Sequence, residues 1–465
     1  MNKFPEGFVW GAATASYQIE GGYNADGKGP CIWDAYTSIP GKIQNNDRGN
    51  VACDSYHRYK EDISMLKELG ANAYRFSISW PRTMPTGRGE INQAGIDYYN
   101  NLIDGLLANG ITPWVTLYHW DLPLALQMEL DGWLNRDTAE YFAAYADICF
   151  ENFGDRVKNW ITFNEPWCTA VLGNGLGVFA PGRTSADEPY IVAHHQLLGH
   201  GLAVQVYRSK YKDQNGVIGI TNNCDWREPL TDSREDRDAA QRALEFFFGW
   251  FTDPVVFGKY PDVMIERLGG RLPQFTDEEK AMMAGSTDFL GLNHYTTLFA
   301  SAKPPEGIEE TDNLAGNGGL SEDQDVFLSA DPAWKRTFKE WNVVPWGMRK
   351  LLKWIAERYD NAPIYVTENG CACNEPDRAA AENDDFRCDF FTSYISEGLA
   401  AVNEGVNLKG YFAWSLLDNF EWCDGYSQRF GIVRCEPGSL ERIPKKSFYC
   451  LRDIFSSNGE CLGNN

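Results

Sequence analysis

The sequence has no run of 18 uncharged apolar residues, so we expect no membrane-spanning helix and no membrane partner. It also has no Asn-x-Ser/Thr sequon, and residues 1–10 lack the apolar core of an export signal. These absences favour a cytoplasmic protein. A secreted protein stays open if a signal peptide was removed before this numbering begins.

Positive charge is scarce in this chain. It contains 42 Lys and Arg residues against 65 Asp and Glu residues, which gives a net charge of −23 and a sequence pI near 4.7. Such a protein repels the phosphates of nucleic acids and of anionic lipids. We therefore expect no nucleic-acid partner, and a neutral or cationic small molecule suits the charge better. The sequence leaves the oligomeric state open, including a homo-oligomer.

Cysteines are few for the length, 12 among 465 residues, and they are scattered. This usage suits reduced thiols better than a disulfide scaffold. The one cluster is Cys371, Cys373 and Cys388. A zinc site there would need further ligands, and the spacing differs from that of zinc knuckles. A disulfide is the alternative role if the protein is secreted.

Apolar, β-rich runs alternate with helical patterns along the whole chain, and no linker interrupts them. Eight such alternations predict a parallel sheet closed into a single (β/α)8 barrel over residues 1–465. The predicted strands are 8–15, 73–78, 111–117, 160–163, 217–221, 288–292, 364–367 and 408–413. The predicted helices are 54–69, 96–109, 138–153, 193–211, 237–250, 347–357 and 387–402.

The active site of such a barrel lies at the carboxyl ends of its strands. Residues able to do chemistry follow six of the eight predicted strands, which random loops would rarely produce. Residues 303–333 lack periodicity and predict a long mobile loop over the barrel mouth or, alternatively, a surface insertion without function. The residues after the strands are Gln18, His119, Trp120, Asn164, Glu165, Asn293, Tyr295, Glu368 and Trp414.

Two of these residues, Glu165 and Glu368, end short strands in similar settings, Trp-Ile-Thr-Phe-Asn-Glu-Pro and Ile-Tyr-Val-Thr-Glu-Asn-Gly. Cleavage of a glycosidic bond needs such a pair, one carboxylic acid to protonate the departing oxygen and one carboxylate to attack or to activate water. Either glutamate alone could instead cap the next helix. The presence of two weakens that alternative.

With these residues in hand, the chain resembles glycoside hydrolase family 1, and most closely the β-glucosidases of that family. Three segments carry the resemblance: residues 8–21, which match the N-terminal signature; Thr-Phe-Asn-Glu-Pro at 162–166, the acid/base motif; and Tyr-Val-Thr-Glu-Asn-Gly at 365–370, the nucleophile motif. The match runs from end to end of the chain.

The resemblance implies roles for further residues. Asn293 and Tyr295 would lie beside the nucleophile, and Trp414 would form the floor under the sugar ring, whose apolar face suits an aromatic surface. The glycone hydroxyls would be held by Gln18, His119, Trp120, Asn164, Glu421, Trp422 and Phe430. The aglycone side would be lined by Trp167, Leu172, Asn222 and Trp341.

Three departures within the family narrow the prediction. Myrosinases have glutamine at the acid/base position, whereas residue 165 is Glu. Phospho-glycosidases lack the carboxylate that Glu421 provides here, and this carboxylate would repel a sugar 6-phosphate. Non-catalytic relatives have lost one of the two glutamates, and both Glu165 and Glu368 are present.

We therefore predict a retaining β-glycosidase that acts on terminal β-D-glucosyl residues of cellobiose, short cello-oligosaccharides or aryl β-glucosides. Glu368 would attack and Glu165 would donate the proton, with no metal or cofactor. Repulsion between carboxylates about 5.5 Å apart would raise the pKa of Glu165 from about 4.3 to about 6. A β-galactosidase or β-fucosidase, a transglycosidase and a sugar-binding barrel without turnover stay open as alternatives.

Overall fold

The structure is a computed structural model that describes residues 2–311 and 319–464. Its strands, numbered in chain order, are β1 (Val9–Ala13), β2 (Ala73–Ser77), β3 (Thr112–Tyr118), β4 (Asn159–Asn164), β5 (Val217–Asn223), β6 (Trp226–Pro229), β7 (Leu290–Asn293), β8 (Thr297–Ser301), β9 (Phe327–Ser329), β10 (Ile364–Asn369), β11 (Leu408–Trp414), β12 (Val433–Cys435) and β13 (Arg442–Pro444). Eight of them pair in parallel and close a barrel in the order β1-β11-β10-β7-β5-β4-β3-β2. The predicted (β/α)8 barrel and its eight strands are confirmed.

All seven predicted helices are present, with ends shifted by a few residues. The helix predicted from residue 193 begins at Glu188, because Pro189 fits a first helical turn, where its missing N–H has no partner to lose. In the described part of the chain, no helix has the length and apolarity to cross a membrane. The α-helices are Ser16–Ile19, Ile32–Tyr36, Ser55–Leu69, Trp80–Thr83, Gln93–Ala108, Leu124–Leu130, Asp137–Phe153, Glu188–Lys210, Arg234–Leu244, Trp250–Phe257, Asp262–Leu268, Asp277–Met283, Gly319–Gln324, Pro345–Arg358, Arg378–Glu382, Asp385–Asn403 and Lys446–Ser456, and two π-helical turns cover Cys168–Gly173 and Glu245–Gly249.

Aromatic side chains fill the barrel near the amino ends of its strands. The ring of Trp114 lies 4.5 Å from that of Tyr365 and 5.4 Å from those of Phe289 and Phe412. Gly11 leaves room for this cluster, since a Cβ there would come within 2.6 Å of the Phe412 ring. The packed aromatic cluster closes one end of the barrel, so polar chemistry is confined to the other end.

The segment 303–333 is more ordered than the sequence predicts. It contains the helix Gly319–Gln324 and the strand β9, which pairs antiparallel with β8 in a three-stranded sheet with β6. The edge of β8 offers backbone N–H and C=O groups, and β9 satisfies them. The prediction of a loop without secondary structure is therefore wrong for this part, and residues 312–318 lie outside the described residues.

Candidate active site

The two predicted glutamates lie buried at the carboxyl ends of β4 and β10. Glu165 follows β4 with a left-handed φ of 45°, and its N–H donates to the Thr221 carbonyl at 2.9 Å. Glu368 is in register with Asn293 of β7, at a shift in the pairing of β10. Among the described hydrogen bonds, neither carboxylate accepts one from a backbone N–H in the first turn of a helix, so the geometry does not support the helix-cap alternative.

Glu368 is surrounded by a cation and a hydroxyl. The Arg75 guanidinium donates to Glu368 Oε1 at 2.6 Å, and the Tyr295 hydroxyl donates to Oε2 at 2.6 Å. Arg75 is fully buried on β2 and also donates to Asn164 Oδ1 at 2.6 Å. Both oxygens of Glu368 are thus held by donors that favour its ionised form.

Glu165 has neutral partners instead. The Asn293 amide donates to Glu165 Oε1 at 2.7 Å, and the Cys168 thiol donates to Oε2 at 3.2 Å. Cys168 in turn accepts a hydrogen bond of 3.5 Å from the Asn223 amide. A neutral amide and a weak thiol donor leave this buried carboxylate without a directly bonded cation.

The surroundings shift the two carboxyl pKa values differently. Burial, followed by the negative charge of Glu368, raises the pKa of Glu165 to about 8. Burial also raises the pKa of Glu368, but Arg75 and Tyr295 oppose that rise. The predicted rise of the Glu165 pKa has the right direction, and repulsion by Glu368 contributes to it, but the loss of hydration on burial is the larger cause. The directly bonded Arg75 cation therefore favours the charge on Glu368, and Glu165, which has no such cation, is the better holder of the proton.

Asn164 and His119 form a polar pair whose donors can be assigned. Asn164 Oδ1 accepts from Arg75 and from Asn293, so its Nδ2 must donate to His119 Nε2, 3.0 Å away. Burial, with Arg75 nearby, lowers the pKa of His119 well below its usual value, so the ring is neutral. A neutral ring that accepts at Nε2 carries its proton on Nδ1. That buried N–H has no protein partner and is available to a ligand.

Gln18 has a free hydrogen-bond acceptor, which complements the free donor of His119. Its Nε2 donates to the Asn419 side chain at 3.0 Å, to the Phe420 carbonyl at 3.0 Å and to Glu421 Oε2 at 3.3 Å. The buried Oε1 of Gln18 has no partner. The site thus offers one free donor, on His119, and one free acceptor, on Gln18, and both are buried. Hydroxyl groups suit this pair because a hydroxyl can both accept and donate a hydrogen bond.

Aromatic rings line the same end of the barrel. The His119 ring is nearly parallel to the rings of Trp414 and Trp422, each with its centroid 6.0 Å away. The Trp120 ring lies 4.5 Å from Trp422, and its Nε1 donates to the Asn164 carbonyl at 2.8 Å. These contacts bring the predicted glycone residues together around the two carboxylates.

Phe430, Tyr295 and Trp341 form a second aromatic group beside Glu368, with ring separations of 5.2 to 6.2 Å. Trp341 is half-buried. Trp167 stands two residues after Glu165, and its ring lies 4.8 Å from Phe247. Leu172 is buried in the π-helical turn that follows Glu165.

Asn222 does not join the site, and its predicted aglycone role is corrected. Its side chain donates to Thr252 Oγ1 at 2.9 Å, in the helix Trp250–Phe257 outside the barrel. Side chains alternate along a strand, so a position one residue away faces the opposite side. The neighbour Asn223 points inward and reaches Cys168, which bonds to Glu165.

Three residues that contact the predicted site residues were missed from the sequence: Arg75, Cys168 and Lys339. Arg75 did carry a signal, since an arginine in the middle of an apolar strand must have a buried partner. Cys168 and Lys339 carried none, because a single thiol and a single loop lysine are ordinary. Lys339 lies 3.5 Å from Glu421 Oε1.

The cysteine cluster does not fit a zinc site. In the described residues all twelve cysteines are free thiols, and the groups that could share a metal are Cys373, Glu375 and Asp384. Arg387 and Lys445 already neutralise the two carboxylates, at 2.7 Å and 2.5 Å from Glu375. This arrangement is an internal ion-pair cluster, and it lacks the sulfur and nitrogen set that zinc prefers.

Comparison with known proteins agrees with this geometry. The family model "Glycosyl hydrolase family 1" matches residues 1–460. The chain belongs to this family. It is 48% identical to β-glucosidase 42 of Arabidopsis thaliana, covering 99% of this chain and 96% of the relative. It is 45% identical to coniferin β-glucosidase of Pinus contorta, covering 99% and 93%.

Solved structures show the same relationship. A rice β-glucosidase mutant in a covalent complex with Glc superposes with a TM-score of 0.92 at 44% identity, covering 97% of this chain and 98% of that one. A family 1 β-glucosidase from Thermotoga maritima gives 0.90 at 43% identity, covering 98% of each chain. The predicted family, fold and enzyme class, a glycoside hydrolase of the β-glucosidase type, are confirmed.

Proposed function

We propose that this enzyme is a retaining β-glucosidase that removes terminal non-reducing β-D-glucosyl residues, with Glu368 as nucleophile and Glu165 as acid and base. The observation that carries the proposal is the difference between the partners of the two carboxylates. Arg75 and Tyr295 hold Glu368 in its charged form, and the neutral partners of Glu165 let it keep a proton. A covalent complex with Glc in a rice relative supports the same route.

The reaction then has two balanced steps. A Glu368 oxygen bonds to the anomeric carbon as the glycosidic C–O bond breaks, and the Glu165 proton passes to the departing aglycone oxygen. Esterification removes the charge of Glu368, which lowers the pKa of Glu165. The Glu165 carboxylate next takes a proton from water, the water oxygen bonds to the anomeric carbon, and Glu368 is released. Two displacements at one carbon retain its configuration.

The free polar atoms of the site support a glucosyl specificity. The His119 Nδ1–H and the Gln18 Oε1 would bond to ring hydroxyls, and Glu421 would accept from the hydroxyls on carbons 4 and 6. Trp414 would stack on the sugar ring. Trp167, Leu172 and Trp341 would line the aglycone side. Cellobiose, short cello-oligosaccharides and aryl β-glucosides are the proposed substrates, which would give the enzyme a role in carbohydrate metabolism and cellulose degradation.

Azide rescue of two variants tests the assignment. Glu165→Ala should keep activity toward dinitrophenyl β-glucoside, whose leaving group needs no proton, and azide should give the β-glucosyl azide. Glu368→Ala should lose turnover on every substrate, and azide should give the α-glucosyl azide. Glu278→Ala, an exposed carboxylate on the helix Asp277–Met283, serves as the control and should behave as wild type.

The proposed roles are wrong if both catalytic variants give the same anomer or if wild type first releases the inverted sugar. A panel of cellobiose, lactose and aryl glycosides fixes the specificity. A higher kcat/KM on lactose than on cellobiose would show that the enzyme is a galactosidase and not a glucosidase. Sugar transfer in excess of hydrolysis would indicate a transglycosidase.

A further inference from the structure

Lys339 lies between two carboxylates at the edge of the sugar site. Its ammonium donates to Asp424 Oδ2 at 2.6 Å and to Glu421 Oε1 at 3.5 Å. The same nitrogen stands 5.1 Å from the ring centroid of Trp341 and 5.9 Å from that of Phe430. The side chains of Lys339 and Glu421 are only 20% and 9% exposed. One lysine thus interacts with two carboxylates and lies beside two aromatic rings.

The backbone fixes this arrangement. Lys339 stands at the tip of a hairpin, 335–343, in which Thr337 N donates to the Trp341 carbonyl at 2.8 Å and Glu340 adopts a left-handed φ of 61°. Phe338 N donates to the Ala372 carbonyl at 3.1 Å and ties this tip to the loop that follows β10. The hairpin therefore delivers Trp341 and Lys339 to the site as one unit.

The acids are fixed in a similar way. Glu421 N donates to the Gly425 carbonyl at 2.6 Å, and Asp424 N donates to the Glu421 carbonyl at 3.0 Å. This turn holds Asp424 beside Glu421, so the two carboxylates compete for Lys339. The shorter contact is with Asp424, so the interaction of Lys339 with Glu421 is the weaker of the two.

We propose that Lys339 is a positioning residue for glycone specificity, which keeps Glu421 ionised and aimed at the 6-hydroxyl of the sugar, and that Asp424 limits this effect by drawing the same ammonium away. The inference rests on the proposed function, since it gives Glu421 its sugar. Lys339 itself touches no reacting atom in this assignment.

The charges around Glu421 determine in which direction each substitution should shift its pKa. Burial raises the pKa of Glu421 to about 7; Lys339 opposes the rise, and Asp424 and Glu368 add to it. The neighbouring Tyr295 and Cys423 carry raised pKa values and stay neutral in this range, and Gln18 carries no charge. Removing Lys339 should therefore move ionisation of Glu421 to higher pH, and neutralising Asp424 should move it to lower pH.

A ratio of two substrates isolates this ionisation. We would measure kcat/KM from pH 5 to 9 for an aryl β-D-glucoside and for its 6-deoxy analogue, and divide the first by the second. Ionisation of Glu165 and Glu368 affects both substrates alike and cancels. In wild type the ratio should rise about ten-fold as Glu421 ionises. Only the substrate with a 6-hydroxyl can donate a hydrogen bond to the charged carboxylate, and the 6-deoxy analogue cannot.

The variants are Lys339→Met, Lys339→Arg and Asp424→Asn. In Lys339→Met the midpoint of the ratio should move up by about one pH unit, in Asp424→Asn it should move down, and Lys339→Arg should stay near wild type because it keeps the charge. Activity on the 6-deoxy substrate shows that each variant is folded. A loss of the ratio in Lys339→Met that is equal at all pH values, or midpoints that move in the same direction, would overturn the proposal.

Failure of the underlying function gives a different result. Wild type would then turn over neither substrate, and no ratio could be formed. If Lys339→Met does not fold, the other two variants still test the proposal. The midpoint of the ratio should move to lower pH in Asp424→Asn and should stay near the wild-type value in Lys339→Arg. A wild-type ratio that does not vary between pH 5 and 9 would contradict the role of Lys339 while leaving the catalytic glutamates in place.

Discussion

The carboxyl ends of β4 and β10 carry the same side chain, a buried glutamate, and differ in what surrounds it. At β10 a guanidinium and a phenol hydroxyl hold Glu368, whereas at β4 an amide and a thiol hold Glu165. Burial disfavours the charge at both places, and only one place has a directly bonded cation to offset it. The two glutamates therefore differ in role because of their neighbours and not because of their own chemistry.

The largest effect should come from removing the cation. Arg75→Met leaves Glu368 buried without its ion pair, which costs about 3 to 5 kcal/mol and should lower kcat/KM on an aryl glucoside by about two to four orders of magnitude. The surroundings of Glu368 would then resemble those of Glu165, and the acid limb of the pH profile should move to higher pH.

Arg442→Met is the matched control for Arg75→Met. Arg442 of β13 forms another buried ion pair, 2.8 Å from Asp62 of the helix Ser55–Leu69. Its loss should lower the melting temperature and leave kcat/KM within a few-fold of wild type. An equal fall in kcat/KM for both variants would mean that Arg75 acts only on stability.

A smaller effect is expected from Tyr295→Phe, which removes the hydroxyl that bonds to Glu368 at 2.6 Å. A hydrogen bond to a charged group contributes about 1.5 to 3 kcal/mol, so kcat/KM should fall by about 10- to 100-fold. The hydroxyl opposes the rise in the Glu368 pKa, so the acid limb should also move to higher pH. Tyr365→Phe, on the strand β10 that carries Glu368 but within the aromatic cluster, should change neither quantity.

The smallest effect should come from the other side of the comparison, through Cys168→Val. The thiol bond lowers the pKa of Glu165 slightly, so its removal should move the alkaline limb of kcat/KM to higher pH by less than about one unit. Activity at neutral pH should change by no more than a few-fold. Cys149→Val, a buried thiol in the helix Asp137–Phe153, is the control, and a downward shift in Cys168→Val would contradict the reasoning.

The sequence predicted the fold well because the barrel repeats a strong signal. Each strand is a short apolar run between turn residues, and eight of them in alternation with helices leave few other architectures. The strand ends then predicted Glu165, Glu368, Asn293 and Tyr295 as neighbours, and the structure brings these together.

The errors arose where the signal was weak. The family resemblance placed Asn222 in the site, but a shift of one residue along the strand decides which of Asn222 and Asn223 faces inward. Lys339 lies in a hairpin whose position depends on contacts with Ala372, which is distant in sequence. The pKa of Glu165 depends on burial more than on its partner glutamate, and burial of a single carboxylate is a property of the folded chain.

The most direct test of the account is a carbon-13 titration of the two catalytic carboxyls, with assignments from Glu165→Gln and Glu368→Gln. The account predicts that Glu165 titrates near pH 8, above Glu368, and that its pKa falls once Glu368 is esterified by a 2-fluoroglucoside. A Glu368 carboxyl that titrates above Glu165, or a Glu165 pKa unchanged by esterification, would contradict it.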